Sequence, residues 1–534
     1  MKTGPLAAAA VLAAAVFASH LPLLVAGYVQ DDHVAVEGNT IVESGGASAI
    51  VGASYWEGAR GGDRSLYRPL TVASFALERA ALGGARPSVS HAINLILHAA
   101  VCWLVFAIAV RCGVEPVAAL LAALLFAVTP SKSEAVANVV GRSELLAALF
   151  TLASVRCALE SGVRAAAWGA AVCVLLACAS KETGLVAFPL VAFVATDGRP
   201  WRDAIGLIAP SILAGTVFVV LRTRALLAFF PAQVVPAVDN PLVLQHGIPY
   251  LATALGLIGR YALIVVFPYG LANDYSGASI PIERSLVAVR PVLGVVVFAA
   301  LLWTATRGRF AALGVAITVL PYLLIGNLLV PVGAIFAERF LYLPVAGFSL
   351  LAAKAIDKLG RTARVAAVAA VAVLAVSMFA RSLNWKDDAT IFAATARHNP
   401  RSQKAALWLG NVDDAIASWP DSAAAWHDKG VALAKSGDLR GAESALRKAV
   451  QLEPTRPAAQ LNLGLVLHRR GDLDAAEREL RKAVLLEPDN PRGFAELGHV
   501  RYEARRFAGA ADAYRRAVAL GRTDLLPRLK ELER

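Results

Sequence analysis

Long apolar runs recur through roughly the first 380 residues, separated by short polar loops, and then stop. The runs at 5–27, 92–110, 114–130, 144–160, 164–179, 183–196, 203–221, 290–306, 310–328, 339–355 and 363–380 each read as a membrane span, for which about 20 residues suffice. The first follows Met1-Lys2 and has too long a core for a cleaved signal peptide, so it is read as a retained helix. Lysine and arginine mark the inner loops: Arg111, Arg156 with Arg164, Arg199 with Arg202, Arg307 with Arg309, and Lys354, Lys358, Arg361 with Arg364. This alternation puts the N-terminus inside and the C-terminal part outside, provided that the equally apolar stretch 249–267 is re-entrant or interfacial rather than crossing. The segments 28–91, 131–143, 180–182, 222–289 and 329–338 then face outward.

From about 386 the apolar positions fall instead on a short helical repeat. Gly430, Gly464 and Gly498 are 34 residues apart, as are Ala442, Ala476 and Ala510, and Pro420, Pro454 and Pro488. This is the tetratricopeptide period, with small residues where paired helices touch and proline at the exit. Repeats are expected at 423–456, 457–490 and 491–524, a degenerate one at 389–422, and a polar capping helix from Thr523 to Arg534. In the third repeat Arg505 stands where Gly437 and Gly471 stand in the first two. The chain thus divides at 385/386 into a membrane domain and a repeat domain, and the fold class is all-α: a polytopic bundle of about eleven spans followed by an α-solenoid.

Composition follows this division. Hydrophobic residues make up 57% of the chain and charged residues 17%, against about 45–50% and 25% in soluble domains. The net charge of +12 is read as positive-inside bias plus repeat-domain arginine, not as a nucleic-acid surface. Cys102, Cys112, Cys157, Cys173 and Cys178 lie in or beside apolar runs and form neither a disulfide framework nor a metal-type spacing.

The informative ionisable residues of the membrane part fall on the outer side. Asp31-Asp32 follows the first span directly. An acidic pair there suits sugar transfer from a lipid-linked donor, one carboxylate taking the acceptor proton, although by spacing alone a helix cap or loop start is the commoner reading. Thr129 to Glu134, Gly141 to Glu144, Ser180 to Thr183 and Glu338-Arg339 place Lys and Arg beside acids at the outer edges of spans. They suit a lipid phosphate, or else snorkelling and ion pairing such as Lys181 with Glu182. Arg222, Asp239-Asn240-Pro241 and Asn273-Asp274-Tyr275-Ser276 lie in the long outer region, the last two being ordinary turn chemistry. His91 and His98, seven apart on one helix face, are read as core hydrogen-bonding groups. Beyond Asp31-Asp32 nothing forms a divalent-metal site.

In order along the chain, Asp31-Asp32, Tyr67-Arg68-Pro69-Leu70, His91 to His98, Pro130 to Glu134, Gly141 to Glu144 and Lys181-Glu182-Thr183-Gly184 resemble the transmembrane and tetratricopeptide repeat-containing (TMTC) family. The series continues through Asp239-Asn240-Pro241, Asn273 to Ser276, Ile280-Pro281, Asn327, Glu338 to Pro344 and Trp385. That family belongs to the C-type glycosyltransferases. The resemblance implies O-mannosyl transfer from a polyprenyl-phosphate sugar to Ser or Thr of a protein. It makes Asp31 or Asp32 the base, with Asp32 slightly favoured, and Arg142, Lys181, Arg222 and Arg339 candidates for the donor phosphate. Glu134 becomes an accessory or acceptor-side acid. Asp239, Asn240, Asp274 and Tyr275 are acceptor-side or loop residues. No cofactor is implied beyond the donor, and metal dependence varies among C-type enzymes. Relatives carry histidine around the proline where this chain has Thr129-Pro130-Ser131-Lys132. The Ala-, Arg- and Gly-rich composition looks bacterial, which implies an undecaprenyl-type carrier, an inner-membrane location with cytoplasmic N-terminus, periplasmic repeats, and repeats that hold a protein acceptor. The competing readings are a non-catalytic scaffold acting through its repeats, and a transporter, for which paired inverted halves are not visible.

Overall fold

The computed structural model describes residues 4–60, 65–160, 164–228 and 235–534; the Met1-Lys2 start lies outside them. The described residues are helical, with one isolated antiparallel bridge between Gly277 and Ser402 and no strand. The chain forms two compact units, Met1–Tyr275 with Ile280–Asn399, and Ser276–Ser279 with Pro400–Arg534.

The first unit contains α1 (Pro5–Ser19), α2 (Pro69–Leu82), α3 (Pro87–Arg111), α4 (Pro116–Val128), α5 (Arg142–Ala158), α6 (Arg164–Ser180) and α7 (Ala187–Ala195). It continues with α8 (Trp201–Leu226), α9 (Gly247–Val266), α10 (Val289–Ala305), α11 (Arg309–Ile325), α12 (Tyr342–Leu359), α13 (Arg361–Leu383) and α14 (Asp388–His398). Proline opens α2, α3 and α4, where its missing N–H costs nothing, and Glu115 caps α4 by accepting from Ala118 N at 3.1 Å.

Among the described residues five helices are long and apolar enough to cross a membrane: α3, α8, α9, the run Glu338–Leu359 that includes α12, and α13. A sixth is α4 with Pro130–Ala137, bent by 57°. Of the eleven expected spans, α3, α8, α12 and α13 therefore meet the length as single helices and one as the bent pair, while α1, α5, α6, α7, α10 and α11 are helices of 17 residues or fewer. Between α6 and α7, and at the borders of α4 and α12, the chain leaves α geometry where polar residues enter. Tight 3₁₀ turns at Pro130–Lys132, Glu182–Val186 and Glu338–Leu341 carry Lys132, Glu182 and Glu338.

The stretch 249–267 forms the unbroken α9. Asn240, just before it, donates to Asn327 Oδ1 at 2.6 Å, beyond the end of α11. Leu271, just after it, accepts from Arg381 at 3.0 Å, in the last turn of α13. Asn327 also donates to Ile335 O at 3.1 Å, and Arg381 meets Glu338 three residues further on, so both anchors lie at one end of the bundle. A 20-residue helix is about 30 Å long, whereas the five residues from Phe267 to Leu271 reach at most about 18 Å. Helix α9 therefore starts and finishes in reach of the same bundle end.

The boundary between compact units falls after Asn399 rather than at 385/386, because α14, inside the stretch read as a degenerate repeat, is tied to the first unit. Its Asp388 accepts from Gln30 N at 2.8 Å, Thr395 Oγ1 bonds Asn273, and Asn399 donates to Asp274 O at 2.8 Å.

In the second unit three helix pairs follow the 34-residue period: α15 (Ala423–Ser436) with α16 (Leu439–Leu452), α17 (Pro457–Arg469) with α18 (Leu473–Leu486), and α19 (Pro491–Glu503) with α20 (Phe507–Ala519). Asp438 and Asp472 cap α16 and α18. Arg505 adopts the left-handed conformation (φ 59°) that Gly437 and Gly471 take at no steric cost. Gly464 lets α17 and α18 touch: a Cβ there would lie 2.6 Å from Leu480 Cγ, and Leu480 is fully buried in the core with Leu446, Leu463 and Leu467. Gly464→Val is expected to destabilise the repeat unit by about 1–3 kcal/mol, read as a lower urea midpoint in circular dichroism of the protein.

Candidate active site

Polar side chains gather at the bundle end where α1, α4 and α13 finish and α3, α5 and α12 begin. The loop after α1 is pinned at successive points. Gly27 N donates to Lys386 O at 2.8 Å, Gly27 O accepts from His91 Nε2 at 3.2 Å, and Gln30 N donates to Asp388 Oδ1 at 2.8 Å. Gln30 is held in the left-handed region (φ 52°), unusual for a side-chain-bearing residue, immediately before Asp31. One turn of π-helix, His33–Glu37, follows the acidic pair.

The two aspartates have different environments. Asp32 is fully buried, and both oxygens are taken by backbone: Oδ2 accepts from Val29 N and Val139 N at 3.2 Å each, Oδ1 from Val140 N at 2.8 Å. Burial raises its pKa to about 7 against the lowering effect of those donors. That value suits a base near neutrality, but a hydroxyl has no path to the carboxylate. Asp32 ties the Asp31 loop to the 139–140 turn and is withdrawn from any shared chelation with its neighbour. Asp31 is partly exposed and within electrostatic reach of Arg339 and Tyr55. Among the described residues no group of three or more His, Cys, Asp or Glu side chains could hold a metal ion.

Most cations at this end are matched with acids. Arg339 pairs with Glu134, which also accepts from the Arg339 backbone N–H at 3.0 Å. Lys181 pairs with Glu144, not with its neighbour Glu182, which meets Arg68 at 2.8 Å. Lys181 lies within electrostatic reach of Arg68 and Arg339, so these three cations share one region. Arg142 is apart from them: fully buried, it is 2.7 Å from Glu78, donates to Asn94 Oδ1 at 3.0 Å and to Ser90 O at 3.2 Å, and stacks 4.5 Å over Phe75. Nothing of Arg142 faces outward, so its geometry serves the fold. Arg222 is one turn beyond Phe218, whose ring packs 5.9 Å from Tyr67, next to Arg68.

Of the remaining expected residues, Asn240 closes the loop onto Asn327, and the carbonyl of Asp239 accepts from Ile335 N at 3.0 Å. Tyr275 donates to Glu338 at 3.0 Å, beside Arg381, and the Asp274 carbonyl is taken by Asn399. His91 and His98 are buried and hydrogen-bonded, His98 to Tyr342 at 2.8 Å and Ala127 O at 3.0 Å. Lys132 is also fully buried, 3.3 Å from His98 and over the Phe126 and Tyr342 rings, away from any outward surface.

Residues 433–497 match the tetratricopeptide repeat family model. Protein O-mannosyl-transferase TMTC3 of Mus musculus is 26% identical over 439 residues, covering 74% of this chain and 47% of that protein. Protein O-mannosyl-transferase TMTC4 of Mus musculus is 29% identical over 356 residues, covering 55% and 48%. Protein O-mannosyl-transferase F38B6.6 of Caenorhabditis elegans is 27% identical over 417 residues, covering 74% and 58%. The chain is a relative of the TMTC protein O-mannosyl-transferases. It is a membrane protein with a tetratricopeptide repeat, and it spans about half the length of the curated TMTC relatives it matches. Among solved structures, the crystal structure of MamA aligns with 25% of this chain and 86% of its own, at 19% identity and TM-score 0.23.

Glu144, Glu182, Arg68, the Glu338–Arg381 pair and Asp388 also belong to this polar end; the sequence alone assigns none of them a catalytic or phosphate-binding role of its own, and does not single out Arg381 or Asp388. Their shared signal in sequence is an acid or base at the outer end of an apolar run, which marks the group but not its pairing. Glu78→Ala would strand the buried Arg142 and is expected to cost about 3–5 kcal/mol. Glu43→Ala, which removes a largely exposed partner of Arg79, is expected to cost about 1 kcal/mol or less. Thermal unfolding of the two variants in the same detergent checks the contrast.

Proposed function

We propose that this protein transfers a sugar, with mannose favoured, from a polyprenyl-phosphate carrier to a hydroxyl, Ser or Thr of a protein, on the outer face of the membrane. The observation that carries the reading is the contrast at the acidic pair. Asp31 is partly open in a rigidly pinned loop beside the Arg339, Lys181 and Arg68 region, while Asp32 is sealed against backbone donors. The TMTC relatives named as O-mannosyl-transferases support the chemistry.

In this reading Asp31 is the general base, in place of the initial preference for Asp32. The acceptor hydroxyl attacks the anomeric carbon from one face. The bond from that carbon to the phosphate oxygen breaks on the other, and its electron pair leaves with the lipid phosphate. Asp31 takes the hydroxyl proton. Arg339, 39% exposed on its side chain, with Lys181 and Arg68 in its region, offsets the charge that develops on the phosphate, and Arg222 stays a candidate beside them. Glu134 holds Arg339 in place through both its side chain and its backbone N–H. Arg142 is left out of the donor set. The anchoring of α9 at one bundle end supports eleven crossings, with the short helices completing their spans through polar turns. That count leaves the N-terminus inside and the repeats outside, in a bacterial inner membrane with an undecaprenyl-type donor. The repeats would hold the protein acceptor.

Asp31→Asn is expected to lower release of polyprenyl phosphate from polyprenyl-phosphate mannose by about 100-fold or more in protein that remains folded. Asp32→Asn is expected to lower the melting temperature as well, because the amide nitrogen that replaces one oxygen cannot accept from the backbone donors there, Val140 N at Oδ1 or Val29 N and Val139 N at Oδ2. Full transfer by purified Asp31→Asn protein would overturn the assignment of the base.

A further inference from the structure

At the opposite end of the first unit, where α10 ends, α11 begins and α12 ends, a pocket of about 430 Å³ is lined by Arg307, Arg309, Lys354 and Lys358 together with Trp303 and Phe310. Two of the four cations have acidic partners: Arg309 meets Asp197 at 2.9 Å, and Lys354 is 3.5 Å from Asp357. The Arg307 guanidinium lies 3.7 Å over the Trp303 ring, which fixes it without neutralising it. Four cations less two neighbouring acids leave a pocket charge of +2. Trp303 is 61% exposed, and Leu302, Val296 and Val295 continue an exposed apolar face along α10.

A charged mouth opening onto an apolar helix face fits an anion that carries an acyl chain, not a free anion. We propose that this pocket binds the phosphodiester headgroup of an anionic phospholipid, with Arg307 and Lys358 on the phosphate and an acyl chain along Trp303 and the α10 face. Basic pockets between helix ends hold such lipids, and each Lys or Arg near the headgroup adds attraction. The inference is independent of the base and donor assignments at the other end.

The test is native mass spectrometry of the full chain, released from nanodiscs containing equal amounts of phosphatidylglycerol and phosphatidylethanolamine with matched acyl chains. The wild type is expected to retain phosphatidylglycerol selectively. The R307Q/K358Q protein is expected to retain it at least about tenfold less. R202Q/R361Q, which removes two inner-side cations outside the pocket, is expected to match the wild type. Equal retention of the two lipids by the wild type, undiminished retention by R307Q/K358Q, or an equal loss in R202Q/R361Q would each overturn the proposal, the last by reducing it to bulk positive charge. Melting temperatures of the variants in zwitterionic detergent confirm that each remains folded.

Discussion

An ionised side chain inside an apolar bundle is stable only beside a partner of opposite charge and with its remaining hydrogen-bonding positions filled. At one end of the first unit five pairs meet this constraint, Arg142–Glu78, Lys181–Glu144, Arg339–Glu134, Arg68–Glu182 and Arg381–Glu338, whereas the buried Lys132 faces His98 and the Phe126 and Tyr342 rings. Each pair joins elements far apart in sequence, so the pairs stitch the helix ends together as they neutralise one another. The short 3₁₀ turns follow from the same need. A residue such as Glu338 must leave the helix line to face Arg381 and Tyr275 at once. The bundle loses span length in exchange for a polar end held in fixed register.

That register separates two adjacent aspartates into different chemical roles. The 139–140 turn is placed by Asn94 and by the start of α5, and its two N–H groups then claim Asp32. With Asp32 locked, Asp388 holds Gln30 in its left-handed conformation, and Asp31 is the partly exposed carboxylate of the pair. A charged residue 358 positions away in sequence thus helps hold the backbone that sets the two neighbours in different surroundings.

Much of this was legible in the chain itself. The 34-residue period located the paired helices and the contact glycines, because a missing side chain at a helix crossing leaves a regular mark. The apolar runs located the helices, among them 249–267, which forms the unbroken α9. Pairing was not legible. Lys181 stands beside Glu182 in sequence, yet an extended backbone at Lys181 sends the two side chains to different partners, Glu144 and Arg68. Arg142 looked like a phosphate ligand because the burial that removes it depends on Glu78, 64 positions earlier and on another helix. The order of burial within Asp31-Asp32 depends on backbone donors from a distant turn, which no local pattern reports.

The most direct test of the account is a structure of the protein with a polyprenyl-phosphate sugar bound. The account predicts the phosphate within hydrogen-bond distance of Arg339 and at least one of Lys181 and Arg68. It places the anomeric carbon toward Asp31, with Arg142 still paired to Glu78 and Asp32 still bonded to the 139–140 backbone. A phosphate seated elsewhere in the bundle, or a sugar facing Asp32 after that turn has opened, would contradict it.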